Sequence, residues 1–286
     1  MARCDVCFHH CAVPEGRRGF CGARRCVNGV MIPENYGKVT ALALDPIEKK
    51  PLRRFFPGSR ILSVGSYGCN LRCPFCQNSG ISWSEEAMGW AASAVTLSPE
   101  ALVRRAVELR PRGNIGLAFT YNEPLIGWEY VRDAARLCHE AGLRNVLVTN
   151  GTAERSVLEA LLPHIDAMNI DLKGFTRRYY SNVLGGSLDA VQAFIARAVQ
   201  GCHVELTTLI VPGENDSEEE IRALSAWVAG LRGADESVIG PEIPLHITRF
   251  FPRFHMTDRA ATEVALVYRL AEAARDNLRY VYTGNC

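Results

Sequence analysis

The chain has 286 residues, 48% of them hydrophobic and 22% charged, which is ordinary globular composition with enough apolar material for one large core or a core plus an appendage. Its net charge of +1 creates no bulk field to gather nucleic acid or anionic membrane. No stretch approaches the roughly 18 uncharged apolar residues of a membrane span, and Met1-Ala2-Arg3-Cys4 opens no apolar signal region, so the expected setting is the cytoplasm, with no nucleic-acid or membrane partner.

Residues 1–58 are rich in Cys, Gly, Arg and Pro and show little periodicity. Cys4, Cys7, Cys11 and Cys21 supply four closely spaced thiols, with Cys26 as a spare. Disulfides rarely persist in reducing cytosol, and a segment this short builds no core of its own, so a metal is a sensible staple. Structural zinc and an auxiliary iron–sulfur cluster are equally compatible with the thiol count, and unligated thiols are the plain alternative. His9 and His10 are expected to be exposed.

From residue 59 to 286 strand-like runs alternate with amphipathic helical runs, the pattern of a parallel α/β architecture. The predicted strands are 61–66, 115–120, 145–149, 167–171, 204–211 and 245–248, with a terminal strand over 279–282. The predicted helices are 99–109, 128–141, 153–162, 188–199, 217–231 and 258–276. Ser98-Pro99-Glu100 and Asp216-Ser217-Glu218-Glu219-Glu220 are helix starts, with a capping hydroxyl, proline in the first turn and acid at the positive helix end. About six β/α units occupy roughly 225 residues, whereas a closed eight-fold barrel takes about 250. The fold class is therefore read as α/β, a partial (β/α)6 TIM-like barrel carrying a small Cys-rich N-terminal segment.

The strongest local signal is Gly68-Cys69-Asn70-Leu71-Arg72-Cys73-Pro74-Phe75-Cys76-Gln77-Asn78. Three thiolates so spaced on a loop suit three corners of a cubane cluster, and three ligands for four irons leave one iron open. The alternative is a zinc knuckle, although zinc pairs usually sit on C-x2-4-C with a second pair or histidine nearby. Cys138 and Cys202 read as small buried hydrophobes. Polar motifs follow every predicted strand, where barrel enzymes place their chemistry: Thr120-Tyr121-Asn122-Glu123-Pro124, Thr149-Asn150-Gly151, Asp171-Leu172-Lys173, Val211-Pro212-Gly213-Glu214 and His246-Ile247-Thr248-Arg249, the last leading to Arg253 and His255. His139 is expected to face solvent.

The cysteine run resembles the CxxxCxxC signature of the radical S-adenosylmethionine (SAM) superfamily, including the aromatic Phe75 before the last cysteine. That resemblance implies a [4Fe–4S] cluster on Cys69, Cys73 and Cys76, with SAM chelating the fourth iron. A low-potential, flavodoxin- or ferredoxin-like donor would then supply the electron that cleaves SAM to a 5′-deoxyadenosyl radical for hydrogen abstraction. Tyr121-Asn122-Glu123 resembles the superfamily's Gly-Gly-Glu segment, with Glu123 toward the SAM ammonium and a Tyr-Asn pair replacing the glycines. Thr149-Asn150 and Asp171-Leu172-Lys173 resemble segments lining the SAM ribose and carboxylate in glycyl-radical-enzyme activases, and His246 and His255 are expected near SAM or substrate.

A narrower likeness spans the chain. Residues 45–52, Phe55-Phe56-Pro57-Gly58, Cys76-Gln77-Asn78, Tyr121-Asn122-Glu123-Pro124, His246-Ile247-Thr248-Arg249-Phe250 and Tyr282-Thr283-Gly284-Asn285 resemble the AmmeMemoRadiSam radical SAM proteins, often labelled pyruvate formate-lyase-activating-like. Related chains run past the position of Cys286, so this one reads as truncated. The substrate, whether a partner-protein glycine or a small molecule, stays open at this level. A non-catalytic iron–sulfur electron carrier is the rival reading. It would need the cysteines but not Glu123, Asn150 or Lys173.

Overall fold

The computed structural model describes the whole chain apart from the side chain of Met88. The N-terminal region is built from short pairings: β1 (Ala2–Arg3) with β2 (Ala12–Val13), and β3 (Arg24–Val27) with β4 (Val30–Pro33). The second hairpin turns at Asn28-Gly29, both left-handed at φ 52° and 74°, the two-residue turn whose twist matches antiparallel strands. Then follow β5 (Lys38–Val39), β6 (Ala41–Pro46), β7 (Arg60–Gly65) and β8 (Val95–Thr96), β5 pairing with β8.

One eight-stranded sheet carries the molecule. To β7 it adds β9 (Asn114–Phe119), β10 (Arg144–Thr149), β11 (Ala167–Asp171), β12 (His203–Ile210), β13 (Leu245–Arg249) and β14 (Val281–Gly284), all parallel and in sequence order. β6 joins β7 antiparallel at the other edge. Between consecutive parallel strands run α3 (Pro99–Glu108), α4 (Trp128–Glu140), α5 (Arg155–Leu161), α6 (Leu188–Ala198), α7 (Glu218–Ala229) and α8 (Val264–Arg275), and α1 (Ser79–Ser82) and α2 (Glu85–Ser93) precede them. The result is an α/β fold with a mixed sheet, consistent with a partial TIM-like barrel. Both expected caps form: Ser98 Oγ accepts from the Ala101 N–H and Ser217 Oγ from the Glu220 N–H.

Strand residues divide between two cores because alternate side chains leave opposite faces. Leu62, Leu117, Leu147 and Met168 join the helix-covered core. Ile61, Ala118, Val146 and Ala167 form a second cluster with Ile47 and Leu52, so the segment after β6 runs as a strap across the helix-free face. Ile47 and Leu52 are wholly buried, and burying each contributes about 1.5–3 kcal/mol.

Three boundaries differ from the sequence reading. β6 lies in the lead-in, where no alternation announced it, and pairs along the whole of β7. The last helix begins at Val264 rather than near 258, because Thr262 is used as a brace: its hydroxyl donates to the Ile210 carbonyl, and its own carbonyl accepts from Arg249 Nε. The last strand is Val281–Gly284, displaced from 279–282 because the Arg279 N–H is taken by the Pro241 carbonyl. Among the described residues, no helix is long and apolar enough to cross a membrane.

Candidate active site

The C-terminal ends of the parallel strands, together with the cysteine loop after β7, enclose a cavity of about 300 Å³. Cys69, Cys73, Phe75 and Cys76 line one side, Tyr121, Asn122 and Glu123 another, and Thr149, Asn150, Asp171 and Lys173 a third. Sequence reasoning therefore brings together eleven residues from four separate segments. It missed Pro51 of the strap, Thr207 and Thr248 of the strands, and Asn285 of the terminal segment, which also line the cavity.

The cysteine loop is held mainly through contacts to its backbone carbonyls and to Asn70. Gly68 stands at φ 91°, and a Cβ there would lie 2.7 Å from the Cys21 carbonyl oxygen, so the N-terminal region packs directly against the loop. Arg72 clasps the turn by donating to the Cys69 and Leu71 carbonyls, both at 2.9 Å. Asn70, buried, donates to Thr152 Oγ1 and accepts from Asn150 Nδ2, each at 2.8 Å, and its carbonyl meets His9 Nε2 at 2.9 Å. Burial pushes the Cys73 thiol up to about 11, and burial with the nearby Glu123 charge raises Cys69 well above the ordinary thiol value. Cys76 adds to the rise at both, and Cys73 to that at Cys69, so Cys69 and Cys73 stand as neutral thiols in the bare loop and must shed protons to take a metal.

Glu123 is the most constrained ionisable group in the cavity. Its Oε1 accepts from Thr149 Oγ1 at 2.7 Å and the Leu125 N–H at 3.0 Å, and its Oε2 accepts from the Asn150 N–H at 2.8 Å. Burial raises its pKa to about 7 against those three bonds, with Asp171 adding to the rise. Lys173 Nζ donates to Asp171 Oδ2 at 2.8 Å. Burial opposes the lysine charge, but Asp171 and Cys73 outweigh it and hold its pKa well above the ordinary value.

Tyr121 adopts φ 75°, with the Asn122 N–H donating back to the Thr120 carbonyl at 3.1 Å. That is the rarer and strained form of γ-turn, and left-handed backbone on a non-glycine residue costs on the order of 1–3 kcal/mol. A backbone conformation that glycine adopts freely is thus held here by a tyrosine. Asn122 ties the turn to the stretch before the cysteines: its Oδ1 accepts from the Ser66 N–H, and its Nδ2 donates to the Tyr67 and Gly68 carbonyls.

Four expectations need correcting or relocating. His246 does not line the cavity: it sits second in β13 and bonds Glu205 Oε2 at 2.7 Å. Glu205, wholly buried, also accepts from the Arg53 and Arg54 N–H groups of the strap and meets His203. His255 touches the cysteine loop through its backbone N–H, on the Pro74 carbonyl at 2.8 Å, while its exposed ring packs on Phe254 and Trp83. His139 and His9 are half-buried rather than exposed, the first on Asp166 at 2.7 Å and the second between Phe8 and Phe20. Arg249, in the same strand-end motif, does not line the cavity; its guanidinium lies over Phe251 and its Nε donates to the Thr262 carbonyl.

Among the described residues, no three Cys, His, Asp or Glu side chains converge closely enough to hold a single metal ion. In the N-terminal set Cys4, Cys7 and Cys21 are buried and within electrostatic reach of one another. Cys11 Sγ lies 3.7 Å from where a Cβ at Gly19 would stand.

A family model described as the Radical SAM superfamily matches residues 63–224. An uncharacterized protein of Methanocaldococcus jannaschii is 38% identical over 286 residues, covering 99% of this chain and 81% of that protein. A pyruvate formate-lyase-activating enzyme of Clostridium pasteurianum is 28% identical over 199 residues, 68% of this chain and 79% of that one. Among solved structures, Streptococcus suis SuiB bound to S-adenosylmethionine superposes with TM-score 0.57 at 16% identity over 77% of this chain and 48% of its own. A radical SAM methyltransferase from Sphaerobacter thermophilus gives 0.55 at 17% identity over 80% of this chain and 67% of its own. At these identities the two structures speak for the fold.

Proposed function

This chain belongs to the radical SAM superfamily and is an enzyme of that class, and from that premise we propose that it carries a [4Fe–4S] cluster on Cys69, Cys73 and Cys76 and cleaves SAM reductively. The observation that carries the reading is Glu123: a buried carboxylate with three of its roughly four acceptor sites filled, lining the same cavity as three thiols. The donor set suits the cluster, being three thiols at one wall of the cavity. Cys69, Cys73 and Cys76 would hold the cluster, and with SAM bound it would supply one-electron cleavage of the sulfonium–C5′ bond and hydrogen abstraction from substrate.

The protein's own part is binding and aim. The free acceptor site of Glu123 suits the amino group of SAM, and Lys173 suits its carboxylate. Asn150 Nδ2 lies 3.9 Å from Cys69 Sγ and the Leu71 N–H 3.4 Å from it, donors that temper the charge of a ligating thiolate. Phe75 packs edge-on to Phe250 at 6.1 Å and keeps that wall apolar. We place the chain near the AmmeMemoRadiSam group, working in the cytoplasm with a flavodoxin- or ferredoxin-like donor. A second reading, favoured by the activating enzymes among its relatives, is an activase that takes hydrogen from a partner-protein glycine.

The test is product analysis under strict anaerobiosis. Reconstituted protein with a low-potential reductant should form 5′-deoxyadenosine and methionine slowly, and faster with substrate, whose deuterium should appear in the 5′-deoxyadenosine. A glycyl target would leave a persistent protein radical by electron paramagnetic resonance. A fully reduced cluster that makes no 5′-deoxyadenosine yet passes electrons to other acceptors would establish the electron-carrier reading instead.

A further inference from the structure

Asp45 near the end of β6 and Lys50 in the strap that follows form an ion pair that the sequence offered no reason to expect. Lys50 is 2% exposed, although lysine is almost never fully buried without a partner. Its Nζ donates to Asp45 Oδ2 at 2.9 Å, and the same oxygen accepts from the Tyr121 hydroxyl at 2.7 Å. Lys50 Nζ also lies 4.7 Å over the Tyr121 ring. That ring packs so tightly on β7 that a Cβ at Gly65 would stand 2.8 Å from its Cδ2. The tyrosine is therefore gripped at hydroxyl and ring while its backbone holds the left-handed γ-turn.

The grip is anchored and transmitted at both ends. Below, the strap is fixed by Leu52 in the second core, by Asn169 Nδ2 on the Pro51 carbonyl at 2.9 Å, and by Glu205 on the Arg53 and Arg54 N–H groups. Above, the Tyr121 carbonyl accepts from Asn78 Nδ2 at 2.8 Å, two residues past Cys76, and the turn leads directly into Asn122 and Glu123. A buried lysine and a half-buried aspartate are thus aimed at Tyr121, one of two non-glycine cavity residues with left-handed backbone, the other being Asn285 at φ 61°.

We propose that Asp45 and Lys50 are positioning residues for SAM, holding Tyr121 in its left-handed turn so that the Glu123 carboxylate is aimed at the ligand amine. Glycine adopts this backbone unaided; here a tethered tyrosine does the same and fixes the turn relative to the cysteine loop. The inference rests on Glu123 facing SAM.

SAM affinity, measured by equilibrium dialysis on the reconstituted, unreduced holoenzyme, tests it without turnover. Lys50→Met and Tyr121→Phe each cut the tether and should weaken SAM about ten-fold, with iron content and cluster absorbance unchanged. The double variant should be no weaker than about ten-fold, since residues on one tether are non-additive. Tyr121→Phe removes a single hydroxyl and keeps the test intact if Lys50→Met fails to fold. Affinities within two-fold of wild type in Tyr121→Phe, or a multiplied loss of about a hundred-fold in the double variant, overturn the tether. Glu123→Gln distinguishes the levels: if it loses SAM while the tether variants do not, only the tether falls, and if it too binds SAM normally, the underlying reading of Glu123 falls.

Discussion

Replacing Glu123 by Gln perturbs the site in two separable ways. Each carboxylate oxygen already faces at least one donor, Thr149 and Leu125 on Oε1 and Asn150 on Oε2. Whichever oxygen becomes the amide nitrogen therefore opposes an N–H or hydroxyl donor, costing about 1–3 kcal/mol of stability. The lost charge-assisted bond to the SAM amine is worth about 1.5–3 kcal/mol, or roughly ten- to over a hundred-fold in affinity. The pH profile separates this from mere disruption. Because burial raises Glu123 from the usual 4.5 to about 7, the native state keeps a proton that the unfolded chain releases between those limits. The stability this group contributes is thus fully present below 4.5 and is lost as pH rises through about 7, by about 3 kcal/mol. Binding runs the other way: the carboxylate form takes SAM, so wild-type affinity should fall about ten-fold per pH unit below 7. The amine of SAM titrates on its own near 8, but identically with both proteins, so the wild-type minus Glu123→Gln difference isolates the carboxylate. Equilibrium dialysis between pH 5.5 and 8.5 should give a sloping difference; parallel profiles, or equal affinities, would refute the argument.

Three further outcomes are expected. Cys73→Ala should lose the roughly four irons of its site, measured by iron and sulfide analysis after anaerobic reconstitution. A variant lacking Cys69, Cys73 and Cys76 should retain metal on Cys4, Cys7, Cys11 and Cys21, zinc identifying a structural site and iron an auxiliary cluster; a metal-free protein would end that expectation. Glu205→Gln should destabilise the fold by about 3–5 kcal/mol in denaturant titration, because it breaks a buried pair with His246 and unpairs the strap. In wild type, burial acts against the bonds from His203, His246, Arg53 and Arg54, but these hold Glu205 at about 2. Its stabilisation is therefore present above about 4.5 and drains away as pH falls toward 2, and the variant's acid-unfolding curve should lack that component.

What was legible in the sequence follows from how each element is buried. Strands such as Arg60–Gly65 and Ala167–Asp171 are covered on both faces, so they read as short apolar runs between turn signals. The residues that line the cavity follow those runs directly, and a strand end fixes position well enough for Glu123, Thr149 and Asp171 to be placed together. The strap was illegible for the opposite reason. Asp45 to Arg53 has no period, and its partners lie far off in sequence, 76 residues away at Tyr121, 118 at Asn169 and 152 at Glu205. His246 shows the same limit within a strand. A histidine near a strand read as a mouth residue, but His246 stands second in β13 with its ring taken by the buried Glu205 carboxylate, whereas Thr248, two residues further along a strand of about 3.3 Å rise per residue, lines the cavity. Tyr121 was visible as a departure from glycine, but its meaning was not: backbone conformation and the Asp45–Lys50 grip are properties of the folded chain. A residue that breaks a local rule thus marked the point where distant segments were holding the site in shape.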